Sequence, residues 1–276
     1  MTVMDSFDIT GRVAVVTGGA GMLGVKHAEA IAEAGGIPVL VDIDGEGVTS
    51  RAGEIAAAMK VDALGIETDI TDAEAVERML KTVLKAFGRV DILINNAANN
   101  PKVEEQGETR TWERLEDYPL DTWNLDLAVG LTGAFLVSRA IGCEMAKQGS
   151  GVILNIASDL GLIAPDQRIY AREGVPDDRQ PVKPVTYSVV KSGLIGLTRY
   201  LATYWADKGV RVNAIAPGGV LQDQDEKFVE RLSALIPMGR MANPDEYKAA
   251  ILFLISDASS YMTGSVISVD GGRTCW

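Results

Sequence analysis

Val13-Ala14-Val15-Val16-Thr17 runs directly into Gly18-Gly19-Ala20-Gly21-Met22-Leu23-Gly24 and then into helically spaced residues. This join constrains the fold more than any other part of the sequence. A short apolar run without alternation reads as a strand buried on both faces. Glycines at its end let the backbone turn tightly and approach a pyrophosphate, and the helix that follows offers free N–H groups and positive dipole character. The alternation then repeats. Helical spacing covers Met22 to Ala34, a strand Ile37 to Val41, a helix Glu46 to Met59 and a strand Ala63 to Glu67. A helix from Asp72 to Phe87, with N-cap chemistry in Thr71-Asp72-Ala73-Glu74, leads to a strand at Val90 to Ile94. Further helices are predicted over Leu120 to Lys147, Thr186 to Ala206 and Pro244 to Ser256, and strands over Gly151 to Ile156, Val210 to Ile215 and Ser265 to Val269. Strands alternating with helices predict βαβ units and hence an α/β class: a doubly wound, mostly parallel sheet of Rossmann type in one domain over 1–276. Two irregular stretches, Asn99 to Thr109 and Pro165 to Pro184, would lie at the C-terminal edge of the sheet, where such folds bind ligands. The second reads as a substrate-side insertion.

Composition narrows the function classes. The formal net charge is −12 and the isoelectric point about 4.6, a field that repels nucleic acid. Two cysteines, Cys143 and Cys275, suggest neither a disulfide framework nor a metal cluster, and His27, the one histidine, cannot build a multi-histidine zinc site. No metal is expected. Met1 to Gly11 lacks the basic and apolar blocks of a signal peptide, and no stretch approaches ~18 consecutive apolar residues. The expectation is a cytoplasmic protein that binds a small molecule and neither nucleic acid nor membrane.

Three constellations carry chemistry. Asp42 ends the second strand about 20 residues past the glycines, where a carboxylate accepts hydrogen bonds from ribose hydroxyls and repels a 2′-phosphate. With no Arg or Lys between Asp42 and Ser50, NAD is expected rather than NADP. Tyr187 and Lys191 form an i, i+4 pair at the start of a helix, so they share a face. An ammonium there favours phenolate and lowers the Tyr187 pKa, letting it exchange protons with an alcohol. Ser158 follows the strand ending at Ile156 and is placed to hold the reacting oxygen.

Taken together these residues resemble the short-chain dehydrogenase/reductase family over nearly the whole chain. Further motifs that carry the resemblance are Asp69 after the third strand, Asn95-Asn96-Ala97-Ala98 after the fourth, Asn213-Ala214-Ile215-Ala216-Pro217-Gly218, and Val269-Asp270-Gly271-Gly272. The resemblance implies that Tyr187 is the catalytic acid/base, that Lys191 lowers its pKa and holds the nicotinamide ribose, and that Ser158 orients the substrate. It implies that Asp69 lies next to the adenine ring, that Asn95 steadies the central strand, and that Pro217 and Gly218 lie beside the nicotinamide. The implied cofactor contacts are Gly18, Gly21, Met22, Leu23, Gly24 and Asp42, then Asp69, Ile70, Asn96 and Ala97, and lastly Tyr187, Lys191, Pro217, Gly218 and Val220. A homotetramer follows from the same resemblance, through Leu120 to Lys147 and Thr186 to Ala206.

Four positions depart from the family pattern. Met22 replaces a glycine, so Gly18, Gly21 and Gly24 follow the TGxxGxxG spacing of the extended, nucleotide-sugar branch. Ala98 replaces a glycine. Gly130 stands where the family has the Asn of its proton relay, and Asn124 lies more than one turn away. Ser158 and Tyr187 are 29 positions apart because Pro165 to Pro184 intervenes. These departures are similar to a subgroup of flagellin-modification and nonulosonate pathways. The leading expectation is a dehydrogenase/reductase of a polar, sugar-like substrate, with that segment as a lid whose arginines grip an anion. The alternatives are a nucleotide-sugar epimerase or dehydratase with tightly bound NAD, and a non-catalytic dinucleotide sensor.

Overall fold

The computed structural model describes residues 2–99 and 113–276. Apart from Asn99, the expectation for Asn99 to Thr109 therefore lies outside the described residues. The elements are β1 (Val13–Thr17), α1 (Met22–Glu33), β2 (Ile37–Asp42), α2 (Gly45–Met59), β3 (Leu64–Glu67), α3 (Ala73–Phe87), β4 (Ile92–Asn95), α4 (Leu120–Leu127), α5 (Ala134–Gln148), β5 (Gly151–Ile156), α6 (Val185–Tyr204), β6 (Val210–Pro217), α7 (Glu226–Ala234), α8 (Lys248–Ile255) and β7 (Val266–Val269). The strands form one sheet in the order β3-β2-β1-β4-β5-β6-β7, and every neighbouring pair is parallel. This is a single-domain, doubly wound α/β fold.

The period of two along each strand decides which face each residue covers. Val13, Val15, Leu93 and Ile153 pack with Met79, Val83, Ile141 and Trp205 on one side. Ala14, Val16, Ile94 and Leu154 pack with Ile31, Tyr247, Ile251 and Leu254 on the other. Burial of such a side chain stabilises by about 1.5–3 kcal/mol, so both layers hold the sheet. Strand order reverses between β1 and β4, which opens a crevice above their C-terminal ends.

The helix predicted over Leu120 to Lys147 is continuous but not regular, because residues Ala128–Gly133 form a π turn between α4 and α5. The run Leu120–Gln148 is long and apolar enough to span a bilayer, yet half of it is buried inside the domain, as befits a core helix. Helix α7 was not expected from the sequence. Asp225 caps it by accepting the N–H groups of Lys227 and Phe228, and Phe228, Leu232 and Ile236 at helical spacing were its signal.

His27 lies on the inner face of α1, 1% exposed, and burial lowers its pKa to about 4 from 6.5. The folded protein therefore holds this imidazole neutral at pH values where the unfolded chain protonates it. Stability contributed this way is complete above pH ~6.5 and is lost as pH falls toward ~4. At 1.36 kcal/mol per pKa unit the loss is about 3 kcal/mol. Denaturant unfolding between about pH 7 and pH 4 is expected to show His27→Gln losing about 3 kcal/mol less than the wild type. Equal losses in the two proteins would rule out the assignment.

Candidate active site

The glycine join folds as its chemistry requires. Gly18 adopts φ +66°, and a Cβ there would come within 2.9 Å of Ala97 Cα and Asn96 Nδ2. A Cβ on Gly24 would fall on the Gly18 carbonyl oxygen. Gly21 caps α1 without a side-chain bond, so no cap takes the helix's first N–H groups. Asn96 ties the loop to β4 by donating from its backbone to Thr17 Oγ1 (3.1 Å) and from Nδ2 to the Thr17 carbonyl (3.0 Å), and Ala97 also donates to Thr17 Oγ1. Asp42 at the end of β2 accepts the Ala20 N–H at 3.2 Å. Met22, in the place of a glycine, accepts a bond to Sδ from Gln222 Nε2 at 2.9 Å. The loop after β6 thus reaches across the crevice to the glycine loop.

The remaining expected cofactor residues surround the same crevice. Asp69 is exposed after β3 and accepts from Thr71, while Ile70 beside it is buried. Pro217 ends β6, Gly218 donates to Val269 at 3.0 Å, and Val220 pairs with Ala242. A glycine cradle at a bare helix N-terminus with a carboxylate at the next strand end fits a nicotinamide dinucleotide.

Ser158, Tyr187 and Lys191 meet at the mouth of this crevice. Ser158 sits just past β5, and its Oγ donates to Asp159 Oδ1 at 2.7 Å. Tyr187 lies in the first turn of α6. Lys191, one turn on, is 4% exposed and donates to the Ile156 carbonyl at 2.8 Å. Its Nζ is 5.8 Å from the Tyr187 ring centroid. Burial, and then the charge of Lys183, bring the Lys191 pKa down to about 8. The expected lowering at Tyr187 is not the net result, since burial pushes this phenol up, Asp159 adds to the rise, and the Ser158 hydrogen bond opposes it.

Sequence reading missed Asp159, a buried carboxylate raised by its burial and adjacent to Ser158, and Lys183. The Lys183 ammonium stands 3.8 Å from the Tyr187 ring centroid. No local spacing marked it, since Lys183 precedes Pro184, the N-cap of α6.

The structure explains Gly130. A Cβ there would lie 2.5 Å from Val190 Cγ1, so Val190 fills the space an Asn would need. Asn124 is exposed on α4 and does not replace it. Instead Asp126 accepts from Asn99 Nδ2 and from Tyr118 OH, each at 2.7 Å, and from Thr186. A cavity of ≈ 10 Å³ lies between Asp126, Thr186, Gly130, Tyr187 and Lys191, about the volume of one water.

Residues 165–184 form an ordered wall. Gln167 and Lys183 exchange side-chain-to-backbone bonds (2.8 and 3.3 Å), and Gln180 closes the middle on Arg172 and Val175. Ile169 and Tyr170 pack on Phe228 and Leu232 of α7, and Glu173 pairs with Lys227 at 3.0 Å. Tyr170 senses the charges of Asp159 and Arg273 and lies near Tyr187. Arg168 does not offer the expected anion grip, since its guanidinium is exposed and held by Asp166 at 2.6 Å.

Residues 12–171 match the short chain dehydrogenase family and residues 177–274 the enoyl-(acyl carrier protein) reductase family. The chain is 35% identical over 273 residues to the D-threitol dehydrogenase of Mycolicibacterium smegmatis, covering 97% of this chain and 95% of that one. It is 35% identical over 273 residues to the NAD-dependent glycerol dehydrogenase of Listeria innocua, covering 97% and 96%. The structure resembles a gluconate 5-dehydrogenase of Burkholderia cenocepacia in complex with NADP and tartrate, with a TM-score of 0.85, 27% identity and 100% of both chains covered. The chain belongs to the short-chain dehydrogenase/reductase family and is an oxidoreductase acting on alcohols with a nicotinamide cofactor. These relatives are dehydrogenases of polyols and sugar acids and give no support to the flagellin-modification subgroup.

Gly130→Asn is expected to destabilise the fold by about 1–3 kcal/mol through overpacking against Val190. Adding Val190→Ala is expected to recover most of that loss. A double-mutant cycle in denaturant that returned purely additive effects would remove Val190 as the cause.

Proposed function

We propose that this protein is an NAD-dependent dehydrogenase of a polyol or a related hydroxyl-rich sugar, with Tyr187 as its proton-transfer residue, Ser158 and Lys191 as its catalytic partners, and 165–184 as a substrate-side wall. The observation that carries the reading is the meeting of Tyr187, Lys191 and Ser158 at the mouth of the crevice that opens above the glycine loop. Bound across that crevice, NAD supplies the acceptor for the hydride. The Tyr187 phenolate takes the proton of the alcohol as the carbonyl forms. Without substrate the Ser158 hydroxyl donates to Asp159; turned toward substrate it donates to the alcohol oxygen, which holds the reacting oxygen against Tyr187 and leaves the alcohol proton for the phenolate. The Lys191 ammonium, anchored on Ile156, keeps positive charge beside the phenolate.

The polar wall supports a hydroxyl-rich substrate. Asp159 supplies an acceptor, and Tyr170 and Arg273 supply donors near it, an arrangement that suits several hydroxyls better than an acyl chain. The names of the threitol and glycerol dehydrogenases point the same way. The epimerase or dehydratase alternative invokes a separate substrate domain, for which the described residues of this single-domain fold give no support.

Incubation with NAD and a panel of three- to six-carbon polyols and sugar acids is expected to yield NADH from at least one. Tyr187→Phe is expected to lower kcat by ~10²–10⁴-fold while leaving NAD affinity nearly unchanged. A phenylalanine variant with most of its activity would remove Tyr187 from the mechanism, and a panel with no turnover would remove the substrate class.

The choice of NAD rests on Asp42, whose carboxylate repels a 2′-phosphate. In side-by-side kinetics the wild type is expected to prefer NAD, and Asp42→Ala is expected to raise relative use of NADP. A wild-type preference for NADP would overturn the assignment.

A further inference from the structure

Lys183 comes from the 165–184 wall and not from the helix that carries Tyr187 and Lys191. Its backbone is clamped, with the N–H donating to Gln167 Oε1 at 2.8 Å and the carbonyl accepting from Gln167 Nε2 at 3.3 Å. Pro184 follows as the N-cap of α6. This clamp turns the side chain back over the helix start. The Lys183 ammonium lies 3.8 Å from the Tyr187 ring centroid, nearer than the 5.8 Å of Lys191, and well inside the ~6 Å range of a cation–π contact. Tyr187 therefore has one ammonium against its ring face and a second one turn along the helix.

The surroundings keep Lys183 charged enough to act. Burial is the largest influence and draws its pKa down to about 8, while Asp159 and Glu113 oppose that fall. Lys183 in turn depresses Lys191, so the two ammoniums share one enclosed region. Among the described residues, the groups facing Tyr187 are Ser158 and Asp159 after β5, Tyr170 and Lys183 from the wall, and Lys191 on α6. Asp159 is itself faced by Arg273 and Asp270. Without help, burial and Asp159 both oppose a phenolate at Tyr187. A cation over the ring interacts more strongly with a phenolate than with a phenol, because attraction to a full negative charge adds to attraction to the ring quadrupole.

We propose that Lys183 is a second positioning cation of the site, held over the Tyr187 ring by the Gln167 clamp so that its ammonium stabilises the phenolate that accepts the alcohol proton. This rests on Tyr187 being the proton-transfer residue. The proton balance is simple. The alcohol O–H proton passes to Tyr187 as the C=O bond forms, a bound nicotinamide would accept the C–H hydride, and Lys183 keeps all its protons throughout. The 165–184 segment thereby gains a role in proton transfer as well as in walling the substrate.

The test measures pH–rate profiles for polyol oxidation in the wild type, Lys183→Met, Lys183→Arg and Gln167→Ala, together with tyrosinate absorbance titrations of the cofactor-free proteins against Tyr187→Phe as the blank. Lys183→Met is expected to move the acidic limb of kcat alkaline by about 0.5–1 pH unit, a three- to tenfold loss of rate below the limb. The tyrosinate titration is expected to move in the same direction, with NAD affinity and the rate on the alkaline plateau unchanged. Lys183→Arg, which keeps a cation that can stack on the ring, should hold the limb near its wild-type position. Gln167→Ala, which releases the clamp but keeps the lysine, should shift it partway. An unmoved limb in folded Lys183→Met would overturn the proposal, as would an arginine variant that behaves like the methionine one. If Lys183→Met fails to fold, an unmoved limb in folded Gln167→Ala does the same. An active Tyr187→Phe enzyme would instead overturn the underlying role of Tyr187, so the two failures are told apart.

Discussion

An ammonium buried at the end of a strand is the constraint on which the rest of the site depends. Among the described residues Lys191 is satisfied by the Ile156 carbonyl and not by a carboxylate, so its charge is left to act on its neighbours, and its enclosure draws its pKa down. That arrangement holds only if β5 and α6 keep a fixed relation. A line of buried amides and hydroxyls supplies it. Asn95 on β4 donates to Ser138 on α5 and Asn155 on β5, and Asn155 donates to Thr198 on α6, each at 2.8 Å. Each such bond adds about 1 kcal/mol net, but breaking one leaves a buried polar group unpaired, which costs more than the bond contributes.

The same sheet divides the work in two. β1, β2 and β3 present the glycine loop, Asp42 and Asp69, while β5 and β6 present Ser158 and the Pro217 turn, and the reversal of strand order between β1 and β4 leaves the crevice between them. The Gln222–Met22 contact spans this division. It gives Met22 a role that a glycine could not fill, since only a side chain there reaches the loop after β6.

How much of this was legible in the sequence follows from which forces are local. All seven strands were readable to within about two residues, the central ones because strands buried on both faces must be continuously apolar, as in Val13-Ala14-Val15-Val16 and Gly151-Val152-Ile153-Leu154. The π turn at Ala128–Gly133 was not, because an apolar period near 3.6 tolerates one extra residue without losing its face. Gly130 stood out as a missing side chain, but its cause is Val190, which only the packing of α6 brings to it. Asp126, Asp159 and Lys183 escaped for a similar reason. Each is an ordinary polar residue in its own segment and gains meaning only beside Tyr118 and Thr186, Ser158, or the Tyr187 ring. The direction of the Tyr187 shift was misjudged because an i, i+4 spacing reports a neighbouring charge and says nothing of burial.

The 165–184 wall and the unexpected helix α7 are best understood as one unit. Ordering the backbone of residues 165–184 opposes folding by about 1–2 kcal/mol for each residue, and an excursion held only at its two ends would not recover that. Three kinds of contact offset it here. Gln167 and Gln180 satisfy backbone groups that would otherwise face solvent. Ile169 and Tyr170 bury apolar surface against Phe228 and Leu232. Arg231 caps the Ala171 carbonyl, and Lys227 pairs with Glu173. The benefit is mutual, because α7 is a short helix with one apolar face, and that face is covered in part by the wall. The wall also carries Lys183 and Tyr170 toward Tyr187, so one packed surface joins α7 to groups that touch or face Tyr187.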